Sequence, residues 1–305
     1  MSDNILVIGS MNMDLVVQTH NFPQQGETVV GKNFHQAPGG KGANQALAAA
    51  KLGADVKFIG ACGNDYFGED LLASLEKGGV DTADVYRLDV STGIANITVE
   101  ADGNNRIIIV PGANKHLTPE LITEHKEKIQ QAELILLQLE IPLATIQEII
   151  NLAAAAETKV LLDPAPVKEL TPEIYANVDY LLPNEGELKA LLPELESRGA
   201  RANKLLELGV DNVLLTKGEQ GITLYSQEQV KNFAAVSVEA VDTTAAGDAF
   251  AGGFAYGLQQ GWSQEEAVEY ASQVAALSVT VAGAQPSLPT NKEVRKFKQK
   301  KEGEE

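Results

Sequence analysis

Asp248 is the residue best placed for chemistry, in the stretch "VDTTAAGDAF" at positions 241–250. Ala245, Ala246 and Gly247 precede it, and Phe250, Phe254 and Leu258 follow at helical spacing. Nearly bare side chains in a first helical turn leave the turn's free N–H groups open to an anion. A carboxylate beside such an anion hole suits phosphoryl transfer to an alcohol. The carboxylate accepts the hydroxyl proton, and the N–H groups hold charge on the migrating phosphoryl. An N-terminal Asp can also be a simple cap worth about 1 kcal/mol. A cap does not, however, require three tiny residues before it. Gly252, Gly253 and Gly257 would each weaken an exposed helix by roughly 1 kcal/mol, so this helix is expected to pack closely on its neighbours.

Other segments carry weaker signals. "APGGKGANQA" (37–46) sets three glycines before a helical run. Such a turn lets a ligand approach the backbone, with Lys41 available to a phosphate and Asn44 to a hydroxyl; the plain alternative is a turn and helix start. "PNEGE" (183–187) spaces Asn184 and Glu187 as a capping pattern, or as a pair able to hold magnesium through water. "TKGEQG" (216–221) reads as a tight turn between strands, whose glycines would admit adenine or ribose against the backbone. "GETVVGKN" (26–33) imitates a P-loop. It fails because Val29 and Val30 are strand formers and Asn33 replaces the magnesium-binding hydroxyl.

The elements that must position these residues alternate. Apolar strand candidates stand at 4–9, 56–60, 134–139, 159–163, 179–183 and 212–216, with helices such as 42–52, stopped by Gly53, and 143–157. Strands this apolar, alternating with helices, predict a mostly parallel sheet covered on both faces. Ligands in such sheets sit beyond the carboxyl ends of the strands. There this chain places Ser10 to Asp14, Glu140, Asp163, Asn184 and Thr216 to Gly218. Two segments break the alternation. Positions 94–110 read as a hairpin turning at Asp102-Gly103, and 14–34 as strand, turn, strand. Together they predict a small separate sheet, serving as a lid, a dimer interface or a plain flap. The expectation is one domain over 1–305, with the lid at about 14–38 and 94–112.

Composition narrows the function classes. The net charge of −18 offers no basic face to nucleic acid, and the cluster at 295–301 runs straight into acidic residues. Any phosphate must then be attracted locally. The apolar runs are too short for a bilayer, and residues 1–4 lack the basic start of a secretory signal. Cys62 is the only cysteine and reads as a small buried hydrophobe in a cytoplasmic protein. The four histidines show no metal-ligand spacing.

The motifs "SMNMD", "GGKGANQA", "GNDYFGE", "DPAP", "NEGE", "TKGEQG", "DTTAAGD" and "GAQPS" occur in an order and spacing that resembles the ribokinase/phosphofructokinase-B family of sugar kinases. "GGKGANQA", "DPAP" and "GAQPS" are most similar to its ribokinase branch. The resemblance implies a ribokinase-like three-layer α/β/α fold and ATP-dependent phosphorylation of D-ribose at the 5-hydroxyl. It implies Asp248 as base, Ala245 to Gly247 as anion hole, and Asn12, Asp14, Gly40, Lys41, Asn44 and Glu140 as sugar ligands. It assigns nucleotide contacts to Asn184, Thr216, Lys217, Gly218, Glu219, Gln220, Gly221 and Ser272, and magnesium through water to Glu187. It places a monovalent cation, usually potassium, at Asp242, Thr244, Ser278, Val281, Gly283 and Ser287. It also implies a homodimer through the lid. Three positions depart from the family's commonest pattern: Ala249 for Thr, Asp163 for Asn, and Ser272 for a larger polar residue. The competing readings are a relative acting on another sugar or a nucleoside, and a sensor that binds sugar without chemistry.

Overall fold

Strands that are apolar on every residue need cover on both faces, and that requirement organises the chain. The computed structural model describes residues 4–302. Its strands are β1 (Ile5–Ile8), β2 (Asn12–Gln18), β3 (Asn33–Gly39), β4 (Val56–Gly63), β5 (Asp81–Leu88), β6 (Gly93–Val99), β7 (Asn105–Val110), β8 (Leu134–Gln138), β9 (Lys159–Asp163), β10 (Tyr180–Leu181), β11 (Asn212–Thr216), β12 (Ile222–Ser226) and β13 (Val230–Phe233). They form a 9-stranded sheet in the order β13-β12-β11-β10-β9-β8-β1-β4-β5 and a 4-stranded sheet in the order β3-β2-β6-β7. From β11 to β5 every pairing in the large sheet is parallel, and β12 and β13 close that edge antiparallel.

The pleat of β1 shows how the layers arise. Ile5 and Val7 face one core, with the helices Lys41–Leu52 and Ala246–Gln259. Leu6 and Ile8 face the other, with Leu143–Ala154 and Arg198–Glu207. This is the three-layer α/β/α architecture expected. The glycines of the Ala246–Gln259 helix also do what was expected of them. A Cβ on Gly252 would stand 2.5 Å from the Ala48 methyl, and one on Gly257 2.8 Å from that of Ala267.

Two local expectations are corrected, and two edge strands went unread. The second strand of the first excursion is β3, not the valine-rich 27–34, and Val30 is 90 % exposed in the connection. Pairing from Gln18↔Asn33 to Asn12↔Gly39 fixes this register and overrides β propensity. The P-loop imitation thus leads into a strand rather than a helix. The helix expected over 143–157 ends at Ala154. There the Thr158 N–H donates to the Ala153 carbonyl at 3.0 Å, and Glu157 turns to φ 57°. Edge strands β5 and β13 escaped the sequence reading because they are half polar and largely exposed. The hairpin at 94–110 forms as expected, as β6 and β7. No helix among the described residues is long and apolar enough to cross a membrane.

Candidate active site

The site lies beyond the carboxyl ends of β1, β8, β9 and β11. Gly39 and Gly40 end β3 and start the Lys41–Leu52 helix. Gly40 has φ 90°, and a Cβ there would meet the Asn12 backbone N at 2.7 Å, so only glycine lets this turn lie against the segment after β1. Lys41, Asn44 and Gln45 then share one helix face at i, i+3, i+4.

That face meets the first turn of the Ala246–Gln259 helix. Asp248 is 5 % exposed. Its Oδ2 accepts from Asn44 Nδ2 at 3.0 Å and its Oδ1 from Gln45 Nε2 at 3.1 Å, with Lys41 Nζ at 3.9 Å. Asp248 does not cap its helix. The cap position is Ala245, in the left-handed region at φ 60°, with no side-chain cap bond. The anion hole is narrower than expected, because the Ala246 N–H donates to the Thr243 carbonyl at 3.2 Å. The N–H groups of Gly247 and Asp248 have no partner among the described residues, and a Cβ on Gly247 would point into open space.

Charge is concentrated here. Lys41 Nζ lies 3.0 Å from Asp163 Oδ2, and Gln45 Nε2 donates to that same oxygen at 2.9 Å. Burial pushes Asp248 up to about 6, with Lys41 opposing and Asp163 adding to the rise. Burial opposes the Lys41 charge, but Asp163 and Asp248 outweigh it and hold the amine protonated above its usual range. Glu140 accepts from the Lys41 N–H at 3.1 Å and from the Ser10 hydroxyl. Asp14, on β2 above this cluster, is pushed up to about 7, first by burial and then by Glu140 and Asp248. Asn12 Oδ1 accepts from Asn114 Nδ2 at 2.8 Å. Asn44 Oδ1 is buried with no partner. An unmet buried amide oxygen is costly, by roughly 1–3 kcal/mol, and is a ready acceptor for a ligand hydroxyl.

On the far side of Gly247 opens a cavity of about 650 Å³, lined by Thr216, Gly218, Glu219, Gly221, Ala246, Gly247 and Ser272 among others. Its size suits a nucleotide-sized ligand. Gly218, at φ 54°, faces open space, whereas Gly221 is glycine for a different reason: a Cβ would meet the Phe233 carbonyl at 2.0 Å. The Ser272 hydroxyl donates to the Val268 carbonyl at 2.8 Å. Lys217 and Gln220 do not line the cavity; Gln220 accepts from Arg198 at 3.3 Å. Asn184 pairs with Thr216 in an isolated parallel bridge and forms a reciprocal capping box with Glu187, at 2.9 and 2.7 Å. Burial raises the Glu187 carboxyl, and Asp163 adds to the rise.

Behind the Gly247 turn, Asp242 accepts from the Thr244 N–H at 2.9 Å, the Thr244 hydroxyl at 2.6 Å and the Gly283 N–H at 2.8 Å. These bonds overcome burial and hold its carboxyl below the usual range. Val281 donates to the Ser278 carbonyl at 3.2 Å, and Val281 and Ser287 border one surface depression.

The structure thus gathers the expected sugar-side residues and most of the nucleotide-side ones. It adds Gln45, Gln138 and Asn114, and joins to the cluster Ser10 and Asp163, which the sequence placed at strand ends without a role. Gln45 was detectable from its spacing to Lys41. Asn114 was not, since nothing in the chain signals that it bonds Asn12 across 102 positions.

A buried carboxylate, a lysine and bare helix N–H groups between a cluster of polar side chains and a nucleotide-sized cavity define an α/β phosphotransferase site. Comparison with known proteins specifies the class. The model of the pfkB family of carbohydrate kinases matches residues 2–291, and the chain belongs to that family. It is 39 % identical over 292 residues to the ribokinase of Lactococcus lactis, spanning 95 % of each chain. It is 38 % identical over 300 residues to a deoxyribokinase of Salmonella typhimurium, spanning 96 % of this chain and 98 % of the other. Among solved structures it is similar to the ribokinase of Thermotoga maritima, at 40 % identity and a TM-score of 0.92, covering 97 % and 99 % of the two chains. The ribokinase of Arabidopsis thaliana complexed with ribose and ATP matches at 34 % identity and a TM-score of 0.91, with the same coverage.

Proposed function

We propose that this carbohydrate kinase transfers the γ-phosphoryl group of ATP to the 5-hydroxyl of D-ribose. The observation that carries the proposal is Asp248, a buried carboxylate whose neighbours are the unpartnered N–H groups of a helix start and the Lys41 ammonium. Ribose occupies the space bounded by Asn12, Asp14, Gly40, Lys41, Asn44 and Glu140, under the smaller sheet acting as a lid. Asn44 Oδ1 and the free Glu140 oxygen accept its hydroxyls. ATP lies in the 650 Å³ cavity with its terminal phosphate towards Gly247. As the ribose oxygen bonds to phosphorus, Asp248 takes its proton and the bond to the ADP oxygen breaks. The Gly247 and Asp248 N–H groups and Lys41 hold the charge of the moving group.

The donor chemistry fits two cations. Asp242, the Thr244 hydroxyl, Ser287 and the carbonyls at 278, 281 and 283 are an all-oxygen set of the kind an alkali cation accepts. Potassium there would brace the turn that carries the anion hole. Glu187 supplies a carboxylate to hold magnesium through water, and that magnesium would neutralise phosphate charge. The proposal includes a cytoplasmic homodimer joined through the smaller sheet. Ile107, Ile108, Ile109 and Val110 on β7 support the dimer: all are exposed, Ile108 by 68 %.

ADP release should be measured with D-ribose, 2-deoxyribose, fructose and adenosine. Ribose is expected to give the highest kcat/KM, with phosphate on the 5-oxygen by phosphorus NMR. Preference for 2-deoxyribose would shift the assignment towards the Salmonella relative, and no release with any of them would favour a sensor. Asp242→Ala should flatten the potassium response, and an unchanged response would remove the cation from this loop.

A further inference from the structure

Asp163 is a buried carboxylate at the end of β9, and the reaction as described makes no use of it. Its Oδ1 accepts from the Ala165 N–H at 3.2 Å, and its Oδ2 accepts from both Lys41 Nζ at 3.0 Å and Gln45 Nε2 at 2.9 Å. The Gln45 amide is itself fixed, because its Oε1 accepts from Gln138 Nε2 at 2.6 Å. Its nitrogen is thereby turned to the carboxylates and donates to Asp248 as well. One amide nitrogen and one ammonium are thus shared between two buried carboxylates, and the ammonium sits on the Asp163 side, at 3.0 against 3.9 Å.

We propose that Asp163 is a positioning residue: it holds the Lys41 ammonium off Asp248, so that the base is not spent in a tight ion pair with its own lysine. The physical argument is a competition. A half-buried lysine beside one buried carboxylate closes on it, because attraction in a partly screened site grows as the distance shortens. The closed pair lowers the basicity of the carboxylate and must open before a sugar proton can be accepted. A second carboxylate, anchored by backbone and by Gln45, takes the ammonium instead. Lys41 is then left within reach of both Asp248 and the arriving phosphoryl. The other charged groups around the cluster are acidic, Asp14 from β2, Glu140 after β8 and Glu187 from the Glu185–Leu191 helix, apart from Lys168, which faces Glu140 and donates to the Ile141 carbonyl at 3.2 Å. None of them can substitute for Lys41, and among the described residues none is hydrogen-bonded to its Nζ.

The inference rests on Asp248 being the base, and the experiment separates the two. Asp163→Asn keeps the shape and an acceptor oxygen but removes the charge. Its kcat should fall about tenfold, a part of the ~10²–10⁴ carried by a general base, while the KM for ribose changes little. The acid limb of its kcat/KM profile should move to lower pH by about one unit, as a carboxylate does on gaining a close cation. In a Lys41→Met background the same substitution should move the limb clearly less, since only the direct repulsion between Asp163 and Asp248 is then removed. Asp163→Ser, smaller and still polar, provides the same comparison should the Asn variant not fold. An unmoved limb, or an equal shift with and without Lys41, overturns the inference. Full turnover in Asp248→Asn would instead overturn the assignment of the base.

Discussion

The two sides of the Gly247 turn, taken as the sugar and nucleotide sites proposed above, are built in opposite ways. On the sugar side, side chains do the work. Lys41, Asp163, Asp248, Gln45 and Asn44 converge from three elements, nearly every polar atom is hydrogen-bonded, and burial, with Lys41 opposing and Asp163 adding, raises the Asp248 carboxyl. On the nucleotide side, Gly218, Gly221, Ala246, Ala275 and Ala276 shape the wall, and among the described residues Glu219 is the only charged one lining it. One side discriminates by hydrogen bonds, the other by volume and backbone access. Substitutions on the two sides should therefore fail differently, the first in turnover and the second in nucleotide affinity.

After the loss of the base itself, the largest expected effect is that of Lys41→Met. It removes the cation between two buried carboxylates, and kcat should drop by ~10²–10³, the usual loss for one electrostatic stabiliser. With its opposing charge gone, Asp248 should titrate higher and the pH optimum should rise; steady-state kinetics across pH would show both. Next comes Gly221→Ala, where φ is 80° and the new methyl would meet the Phe233 carbonyl. It should lower stability by about 1–3 kcal/mol, seen as a lower melting temperature, and weaken ATP more than ribose. Ala276→Leu, intruding into the cavity, should raise the KM for ATP about tenfold through overpacking of ~1–3 kcal/mol, with kcat at saturating ATP little changed. An equal loss of ribose affinity in either nucleotide-side variant would break the contrast.

The smallest effect is read in stability. Asp14 has its carboxyl raised to about 7 in the fold, against 3.8 when exposed. The folded state therefore binds more protons than the unfolded chain across that window, and this group's contribution to stability falls as pH rises from about 4 to 7. Asp14→Asn should raise the melting temperature at pH 7.5 and do little at pH 4, while loosening sugar binding. A lower melting temperature at pH 7.5 would mean that Asp14 is better satisfied than its surroundings indicate.

The same contrast explains what was legible in the sequence. Charged and amide side chains at helical spacing announce themselves, so Lys41, Asn44 and Asp248 were readable, and Gln45 was within reach. The parallel sheet was readable because its central strands are apolar throughout. Shape made by backbone and small residues leaves little trace. Gly221 lines the cavity, yet it is glycine because β13 passes behind it. Ala275 and Ala276 look like any helix interior. Lys41's choice between Asp163 and Asp248, at 3.0 against 3.9 Å, is set across 122 and 207 positions, which no local pattern encodes.

The central claim is that Asp248 takes the sugar proton, and one variant tests it. Asp248→Asn keeps the shape and an acceptor oxygen for Asn44 or Gln45. Rapid-quench turnover at saturating ribose and ATP, beside calorimetric binding of ribose, reads chemistry and affinity separately. The account predicts turnover slower by ~10²–10⁴ with ribose still bound. Turnover at the wild-type rate would contradict it.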